Sequence, residues 1–290
     1  MTMLLTIFDP WKSQLCTCPF KLTLNPYTGC DHNCLYCYAS SYIPRFSECR
    51  PKKNLFSRLK QEAQKLNGEL VSLSNSSDPY PRLERKTGLT RKCLEILANC
   101  NCKFQIITKS DLVTRDIDIL QKVPCVVSIT ILTIDDVLSR KLEPNAPVSS
   151  KRLGTVKTLI DADIPTTVRI DPVIPFLNDN FTELIQAIAE LGVLHVTSST
   201  YKIKPDNWKR FSAIFPEVAE RLKPYYFQFG ERFGGSRYLP ANIRREIMNK
   251  AKILTEKNNM KFGCCREGFN LNSGVCDGSW VINENKMALL

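Results

Sequence analysis

Three cysteines, Cys30, Cys34 and Cys37, lie within eight residues of one another early in the chain. Thiols separated by three and then by two residues can bind one metal centre from a single tight loop. A closed iron–sulfur or zinc site normally has four protein ligands, so the missing local fourth leaves a coordination position open for a substrate or cofactor. His32 falls between the first two cysteines, where folding back onto the same ion would be strained. This spacing predicts an iron–sulfur centre rather than a structural zinc site or free thiols.

Further cysteines occur towards both ends of the chain. Cys16 and Cys18 precede the first predicted strand, and Cys264, Cys265 and Cys276 lie among glycines in a segment with little apolar periodicity. Thiols in loops are poor core candidates, and the termini of compact domains often lie close together. We therefore predict a second iron–sulfur cluster or a zinc site, with Cys264 or Cys265 plus Cys276 among its ligands. A redox-active disulfide and metal-free thiols are the alternatives.

The length and composition indicate an ordinary globular protein. The chain has 290 residues, of which 43% are hydrophobic and 24% charged, and this excludes global disorder. Its most apolar run, Val126–Leu132, is far shorter than the roughly 20 residues that a transmembrane helix needs. The N-terminus has no basic region followed by an apolar stretch and a cleavage site, so we expect a cytoplasmic protein without a membrane partner. In that compartment the 13 cysteines are expected to be thiols and metal ligands rather than disulfides.

Positive charge is concentrated in the last third of the chain. The sequence has 40 Lys and Arg against 29 Asp and Glu, and residues 201–267 hold fifteen of the basic and seven of the acidic side chains. Clustered Lys and Arg attract phosphates regardless of nucleotide sequence. The charge therefore favours a nucleic acid or another phosphate-bearing partner, and the alternative is a solvated basic surface.

Short apolar runs that alternate with amphipathic segments predict an α/β fold. The candidate strands are Lys21–Leu24, Leu70–Ser74, Lys103–Thr108, Cys125–Leu132, Thr166–Asp171 and Val193–Ser198. Apolar residues at helical spacing lie between them, with clear faces in residues 89–97 and 184–191. Asn178 is expected to cap the second of these helices, and Gly192 to end it. About 200 residues in such units favour a partial barrel, with a flat doubly wound sheet as the alternative.

Polar residues stand at the carboxyl ends of these predicted strands, where ligands bind in parallel α/β folds. The clearest are Asn25, Ser77, Asp78, Lys109, Ser110, Ser128, Thr130, Arg169 and Asp171. A packed structural barrel has no need of such a ring, so we expect a binding site there. Arg169 and Asp171 either bind substrate or pair with each other. His195, among apolar residues, is expected to be a hydrogen-bonded core histidine rather than a ligand.

The cysteine spacing, with Tyr36 directly before Cys37, resembles the signature of radical S-adenosylmethionine (SAM) enzymes. Further blocks resemble the spore photoproduct lyase-like family within that superfamily. They are Leu24–Cys30, Tyr36–Ala39, Ser77–Tyr80 with Thr90–Arg91, Ile107–Ser110 with Arg115–Asp116, Glu143–Pro147 with Arg152, and Pro172–Pro175 with Asn178–Asp179. The blocks run in family order over roughly residues 22–179, with a looser match to about residue 211.

The resemblance implies a partial (β/α)6 barrel of the TIM type, of the radical SAM kind, over residues 21–211. Residues 1–20, with Cys16 and Cys18, are then an N-terminal extension. Residues 212–290 form a C-terminal helical, cysteine-containing extension that packs on the barrel.

The resemblance also implies a cofactor set and site residues. Cys30, Cys34 and Cys37 would bind a 4Fe–4S cluster whose remaining iron is chelated by SAM. An electron from a ferredoxin- or flavodoxin-like donor would cleave SAM to methionine and a 5′-deoxyadenosyl radical, which abstracts hydrogen from the substrate. The positions that match SAM contacts in the family are Ser77, Lys109 and Ser128. The candidate catalytic residues, which would flank the cluster, are Tyr36 and Tyr38.

One departure bears on the substrate. Spore photoproduct lyase carries a hydrogen-donating cysteine just before the serine that Ser77 matches, and here that place is Ser76. A hydroxyl O–H bond is too strong to quench a carbon radical usefully, which argues against literal thymine-dimer reversal. We expect radical SAM chemistry on a nucleic acid, and the alternatives are a peptide or small-metabolite substrate, or a non-catalytic iron–sulfur or zinc protein that binds nucleic acid.

Overall fold

Strands and helices alternate through most of the chain, and residues 3–8, 13–73 and 76–284 are described by its computed structural model. The strands are β1 (Thr6–Ile7), β2 (Leu22–Leu24), β3 (Tyr27–Thr28), β4 (Arg50–Pro51), β5 (Asn67–Leu73), β6 (Asn101–Thr108), β7 (Cys125–Thr130), β8 (Thr166–Val173), β9 (His195–Thr200), β10 (Glu231–Phe233), β11 (Ser236–Tyr238) and β12 (Lys261–Cys264). The helices are α1 (Leu55–Ala63), α2 (Glu84–Thr87), α3 (Leu89–Ala98), α4 (Ile117–Leu120), α5 (Asp136–Leu142), α6 (Ser149–Asp161), α7 (Thr182–Glu190), α8 (Pro205–Ile214), α9 (Pro216–Phe227), α10 (Ala241–Lys257) and α11 (Val281–Glu284). Short 3-10 helices cover Ala39–Ser41 and Asp111–Asp116.

One mainly parallel sheet organises the fold, with the strand order β1-β2-β5-β6-β7-β8-β9-β12. β1 runs antiparallel to β2, and the other neighbouring pairs of this sheet are parallel. The strands expected from the sequence correspond to β2, β5, β6, β7, β8 and β9. The predicted α/β class with a parallel sheet is therefore confirmed.

Contacts of the C-terminal segment show that the sheet is curled. The ammonium of Lys21, directly before β2, lies 2.5 Å from the Asp277 carboxylate, and a Cβ on the adjacent Gly278 would lie 2.8 Å from the His195 ring on β9. In a flat sheet with this strand order, β2 and β9 would be about 24 Å apart. Asp277 and Gly278 are consecutive, yet one reaches the start of β2 and the other lies beside β9. This is possible only because the sheet is curled. The described strands thus form a partial barrel that is open between β1 and β12, and the flat alternative is wrong.

The main helices cover the outside of the curled sheet with one apolar face each. The buried residues of the two faces predicted from the sequence are Cys93, Leu94, Leu97, Leu184, Ile185 and Ile188. Gly192, with a φ of +91°, follows α7 and ends it as predicted. Within the described ranges, no helix is both long enough and apolar enough to cross a bilayer.

The predicted N-cap role of Asn178 is wrong. Its side chain is buried, accepts a hydrogen bond from the Ile174 N–H at 2.7 Å, and donates to the carbonyls of Leu132 and Pro172 at 3.0 and 3.2 Å. These bonds satisfy backbone groups after β7, within β8 and directly after β8, so the side chain is not used to cap the helix. α7 begins four residues later, at Thr182, without a side-chain cap.

The tail contains a strand that the sequence analysis assigned to a loop. Residues 261–264 form β12, which pairs in parallel with β9 and places Cys264 opposite Ser198. Cys264 is buried in the main hydrophobic core, so its interpretation as a loop thiol is wrong. Apolar periodicity missed β12 because it has only four residues and two of them are Gly263 and Cys264.

Candidate functional site

The three-cysteine loop (residues 30–37) follows β2 and β3 at the carboxyl end of the sheet. Gly29 precedes it with a φ of +80°, and a Cβ there would lie 2.5 Å from the carbonyl oxygens of Phe46 and Glu48. The positive φ and the close approach both favour glycine at this position over any residue with a side chain. The Cys30 N–H donates to the Phe46 carbonyl at 2.7 Å, which fixes the start of the loop.

Two side chains of helix α8 hold the other end of the loop by donating hydrogen bonds to the loop's backbone carbonyls. Arg210 donates from Nη1 to the Cys34 carbonyl at 2.6 Å and from Nη2 to the Cys37 carbonyl at 3.2 Å. Asn207 donates from Nδ2 to the Tyr36 carbonyl at 3.0 Å. Carbonyls that turn outward in a tight loop need such donors, because a buried acceptor without a partner is costly. These contacts fix the backbone of the loop from the side of α8.

A buried charge network supports the loop from the inside. The Tyr36 hydroxyl donates to the Glu143 carboxylate, which also pairs with Arg152 at 2.5 Å. The ammonium of Lys109, just after β6, lies 4.0 Å from the same carboxylate and 5.7 Å from the centre of the Tyr36 ring. Burial would lower the pKa of Lys109, but the nearby Cys34 and Glu143 raise it, so the side chain stays charged. Because Glu143 is already engaged by Arg152, the Lys109 cation can serve an anionic ligand.

Asp78, which follows β5, connects the loop to the end of the neighbouring strand β6. Its carboxylate accepts from the Thr108 hydroxyl at 2.7 Å and from the Lys109 N–H at 2.8 Å. The His32 Nδ1 lies 3.5 Å from the same carboxylate. Burial lowers the pKa of His32 even though Asp78 opposes the change, so this imidazole is neutral at pH 7. His32 is thus engaged in the scaffold of the site.

Burial dominates the electrostatics of the three predicted cluster ligands. It raises the pKa of Cys34 to about 12, against the opposing effect of Lys109. It also raises the pKa of Cys30, with Asp78 and Cys34 adding to the effect, and that of Cys37. The metal-free thiols are therefore protonated at neutral pH. A metal centre that binds them must displace their protons, since the thiolate is the ligand form.

The donor set of the loop fits an iron–sulfur cluster better than a single ion. A cubane cluster binds each thiolate at a different iron, so its ligands need not converge on one point. Three thiols without an imidazole partner suit such a cluster and leave one iron without a protein ligand.

The remaining predicted site residues occupy different places around this centre. Ser77 is half-buried, and its hydroxyl lies 3.4 Å from the Tyr27 carbonyl. Ser128 is buried on β7, opposite Ile107 of β6, and accepts a hydrogen bond from Thr167 at 2.9 Å. Tyr38 is 38% exposed beside the loop. Lys109 thus lies beside Tyr36 of the loop, whereas Ser128 lies deeper in the sheet.

The wall formed by β8 and β9 carries charged side chains that are mutually paired. Arg169 Nη2 lies 2.7 Å from the Asp171 carboxylate, which also accepts from the Ser199 hydroxyl at 2.5 Å. Lys202 lies 3.1 Å from the buried carboxylate of Glu267. Of the two alternatives left open for Arg169 and Asp171, the structure supports pairing with each other.

The structure gathers several of the terminal cysteines into a second thiol group (Cys16, Cys18, Cys265 and Cys276). The Sγ atoms of Cys18 and Cys276 lie 3.3 Å apart, and Cys16 hydrogen-bonds to Cys18. Cys265 is within electrostatic range of Cys18 and hydrogen-bonds to Arg169. Cys264 instead packs in the core, so Cys265 is the one of the adjacent pair that joins this group.

Two residues that contact the loop are absent from the sequence-based candidates. Arg210 and Asn207 come from a helix more than 170 residues away from the loop. No local spacing marks them, because their role depends on where α8 packs. The Pro205 that starts the helix and the Arg210 on one of its faces were visible only as ordinary helical features.

The comparison with protein-family models identifies a superfamily for this chain. The model described as "Radical SAM superfamily" matches residues 24–188, which is more than half of the chain. The matched range begins at the end of β2, contains the three-cysteine loop, and extends to α7.

Similar proteins include the uncharacterized protein Rv2578c of Mycobacterium tuberculosis, 28% identical over 262 residues, which covers 82% of this chain and 75% of that protein. The uncharacterized protein MJ0683 of Methanocaldococcus jannaschii is 34% identical over 166 residues, or 55% of this chain and 62% of that protein. Among solved structures, spore photoproduct lyase complexed with dinucleoside spore photoproduct aligns with a TM-score of 0.65 at 15% identity, covering 87% of this chain and 77% of that chain. At this identity the likeness concerns the fold.

Proposed function

This chain belongs to the radical SAM superfamily, and we propose that it is an enzyme that uses a 4Fe–4S cluster and SAM to generate a 5′-deoxyadenosyl radical. The observation that carries the proposal is the three-cysteine loop, held at the carboxyl end of a curled parallel sheet with its thiols unpaired by disulfides. That edge is where parallel α/β folds bind their ligands.

Each part of the site has a defined duty in this proposal. Cys30, Cys34 and Cys37 hold the cluster, and Lys109 pairs with the carboxylate of SAM as a point charge. When bound, the cluster and SAM supply an electron transfer that breaks a carbon–sulfur bond, giving methionine and a radical that abstracts hydrogen from the substrate. Tyr36 anchors the loop to Glu143 and packs under the Lys109 ammonium, which limits where that cation can point.

Ser77, Ser128 and Tyr38 complete the proposed site. Ser77, at the end of the segment after β5, and Ser128, on β7, offer hydroxyls to SAM. Tyr38, directly after the last cysteine of the loop and partly exposed, would flank the cluster together with Tyr36. These roles are carried over from the residue matches with the lyase-like family.

The decisive experiment is anaerobic reconstitution with iron and sulfide, followed by dithionite and SAM. We expect 5′-deoxyadenosine and methionine from the unchanged protein and none above background from Cys34→Ala. Cys100→Ala, at a half-buried thiol far along the chain from the loop, is the matched control and should keep the activity. If the unchanged protein, with a loaded cluster, releases no 5′-deoxyadenosine, the enzyme proposal fails in favour of a non-catalytic metal protein.

We further propose that the substrate carries phosphate and is a nucleic acid. A cavity of about 380 Å³ opens beside His32, and its lining includes Arg82, Arg85 and Lys151 against the single carboxylate of Asp111. Exposed basic side chains continue over the helices of the last third of the chain, among them Lys209, Arg221, Lys223, Arg245 and Lys250. Literal repair in the manner of spore photoproduct lyase is not part of the proposal, because Ser76 stands where that enzyme has its hydrogen donor.

The salt dependence of nucleic-acid binding tests this substrate class. Each phosphate contact releases counterions, so log affinity should fall with log salt at a slope of about −0.9 per contact on duplex DNA. Arg82→Ala should reduce the slope, and Glu220→Ala, at an exposed carboxylate, should not. A slope near zero would redirect the search to peptides or small metabolites.

The setting follows from the proposed cluster. Thiolate clusters with an open iron are readily oxidised, so we propose a reducing, low-oxygen cytoplasm as the site of action. The electron would come from a ferredoxin- or flavodoxin-like donor. Exchange of dithionite for such a donor in the same assay tests this point.

A further inference from the structure

Thiols from three distant segments meet in the second thiol group, outside the proposed cluster site. Cys18 and Cys276 are separated by 258 residues in the sequence, yet their sulfurs are in contact. We propose that Cys16, Cys18, Cys265 and Cys276 form a second metal site that binds one zinc ion. The proposal depends only on these residues and stands or falls independently of the radical chemistry.

The contact distance favours an ion over a disulfide or a second cluster. Two thiolates at 2.3 Å from one tetrahedral zinc ion stand about 3.8 Å apart, whereas bonded sulfurs stand about 2.05 Å apart. The observed 3.3 Å between the Cys18 and Cys276 sulfurs is closer to the tetrahedral value. Cubane ligands bind different irons and need not touch each other. The Cys276 thiol donates a hydrogen bond to Cys18, and once its proton is displaced the two sulfurs need to separate by only about 0.5 Å to stand as neighbouring ligands of a single ion.

Cys16 and Cys265 supply the remaining two thiols. Cys16 already hydrogen-bonds to Cys18, and Cys265 interacts with Cys18 electrostatically. In the described residues these side chains do not yet surround one point, so ion binding requires both to turn towards the Cys18–Cys276 pair. A preformed site is rarely present before the metal binds, and rotation about χ1 is an ordinary part of closing a thiolate site.

Cationic side chains beside the second thiol group favour a metal site with net negative charge. Four thiolates around Zn²⁺ carry a net charge of about −2, which needs nearby cations. Arg169, which also pairs with Asp171, hydrogen-bonds to Cys265, and the Lys21 ammonium, which also pairs with Asp277, lies within electrostatic range of Cys18. The ion would tie the segment before β2 to the tail that crosses the open end of the barrel. Its role is therefore to clamp two ends of the fold.

Metal analysis in a background without the first site tests the proposal. Cys30→Ala/Cys34→Ala/Cys37→Ala removes the proposed cluster ligands, and zinc chloride is then the only probe supplied before desalting. We expect about one zinc per chain by mass spectrometry of metals. Adding Cys18→Ser and Cys276→Ser to this background should abolish the zinc.

Controls separate the outcomes. Cys100→Ser in the same background should keep the zinc, because this thiol lies outside the second group. A folded background protein without zinc overturns the proposal, and so does one that retains about four irons with sulfide instead. If the serine variants do not fold, alkylation of the background protein decides. Zinc should slow labelling of Cys16, Cys18, Cys265 and Cys276, and a chelator should restore it; equal labelling with and without zinc overturns the proposal.

Discussion

The guanidinium of Arg152 lies 2.5 Å from the carboxylate of Glu143, and both side chains are only 1% exposed. This pair is the anchor of the site, because the same carboxylate receives the Tyr36 hydroxyl from the loop and faces the Lys109 ammonium. A single buried carboxylate thus couples the loop, the end of β6 and the start of α6.

Glu143→Gln should destabilise the protein by about 3 kcal/mol, because it leaves Arg152 buried without a counter-charge. The free energy of unfolding from urea titration measures this loss. Glu220→Gln changes an exposed carboxylate in a loose surface pair and should lie within about 0.5 kcal/mol of the unchanged protein. Equal stability of the two variants would show that Glu143 does not anchor the site.

Arg210→Ala should loosen the loop without unfolding the protein. It removes the donors to the carbonyls of Cys34 and Cys37, at a cost of about 2 kcal/mol. We expect reduced iron per chain after anaerobic reconstitution and desalting. Arg210→Lys should recover only part of the iron, because an ammonium lacks the planar fork of donors. Arg232→Ala, at an exposed arginine, should retain full iron content, and a similar loss there would contradict this role of Arg210.

Gly29→Ala should be more damaging than the same change at Gly88. Both glycines have positive φ, at +80° and +60°, so both variants bear the backbone cost of about 1–2 kcal/mol. An added Cβ at Gly29 also meets two carbonyl oxygens at 2.5 Å, whereas at Gly88 nothing lies within 4 Å. Gly29→Ala should therefore cost at least about 2 kcal/mol more in unfolding free energy, as overpacking does. Equal costs would mean that the turn can shift away from residues 46–48.

His195 should make the protein less stable in acid. Burial holds the pKa of this imidazole at about 4, below the roughly 6.5 of an unfolded chain. The unfolded state therefore binds more protons between these values, so stability is full above pH 6.5 and is lost as the pH falls towards 4, by about 3 kcal/mol in total. Protonation would also remove the acceptor at Nδ1 that Trp280 uses at 3.1 Å.

The check compares unfolding free energies at pH 7 and pH 4.5 in the protein and in His195→Gln. The variant should lose less stability over this interval. His32, whose pKa burial also lowers, contributes in both proteins and cancels in the difference. An unchanged difference between the two pH values would contradict a neutral, buried His195.

Sequence patterns predicted the strands of the curled sheet well, because buried parallel strands such as β7 are continuous apolar runs. They failed where a residue's partners are distant. Asn178 has the residue type of a cap, yet its carboxamide binds the backbone of the turn after β8. β12 was missed because its four residues become a strand only by pairing with β9.

The residues of the candidate site were likewise predictable only where a local sequence pattern marks them. The spacing of Cys30, Cys34 and Cys37 predicts a metal centre without any knowledge of the fold, since the three proposed ligands come from one loop. His195 was also interpreted correctly, and its nitrogens are satisfied by Thr197 and Trp280. Arg210 could not be found, because nothing near it in the sequence reveals that α8 packs on the loop.

The ion pair between Lys21 and Asp277 can form only near the end of synthesis, when both residues are present. These residues are 256 positions apart in the chain. At the usual rate of translation, about 10–50 s separate the appearance of the first from that of the second. For most of that interval the three cysteines of the loop have already been synthesised, while the segment that bridges β2 and β9 is still to come. The loop therefore acquires its complete surroundings only when synthesis of the chain is almost finished.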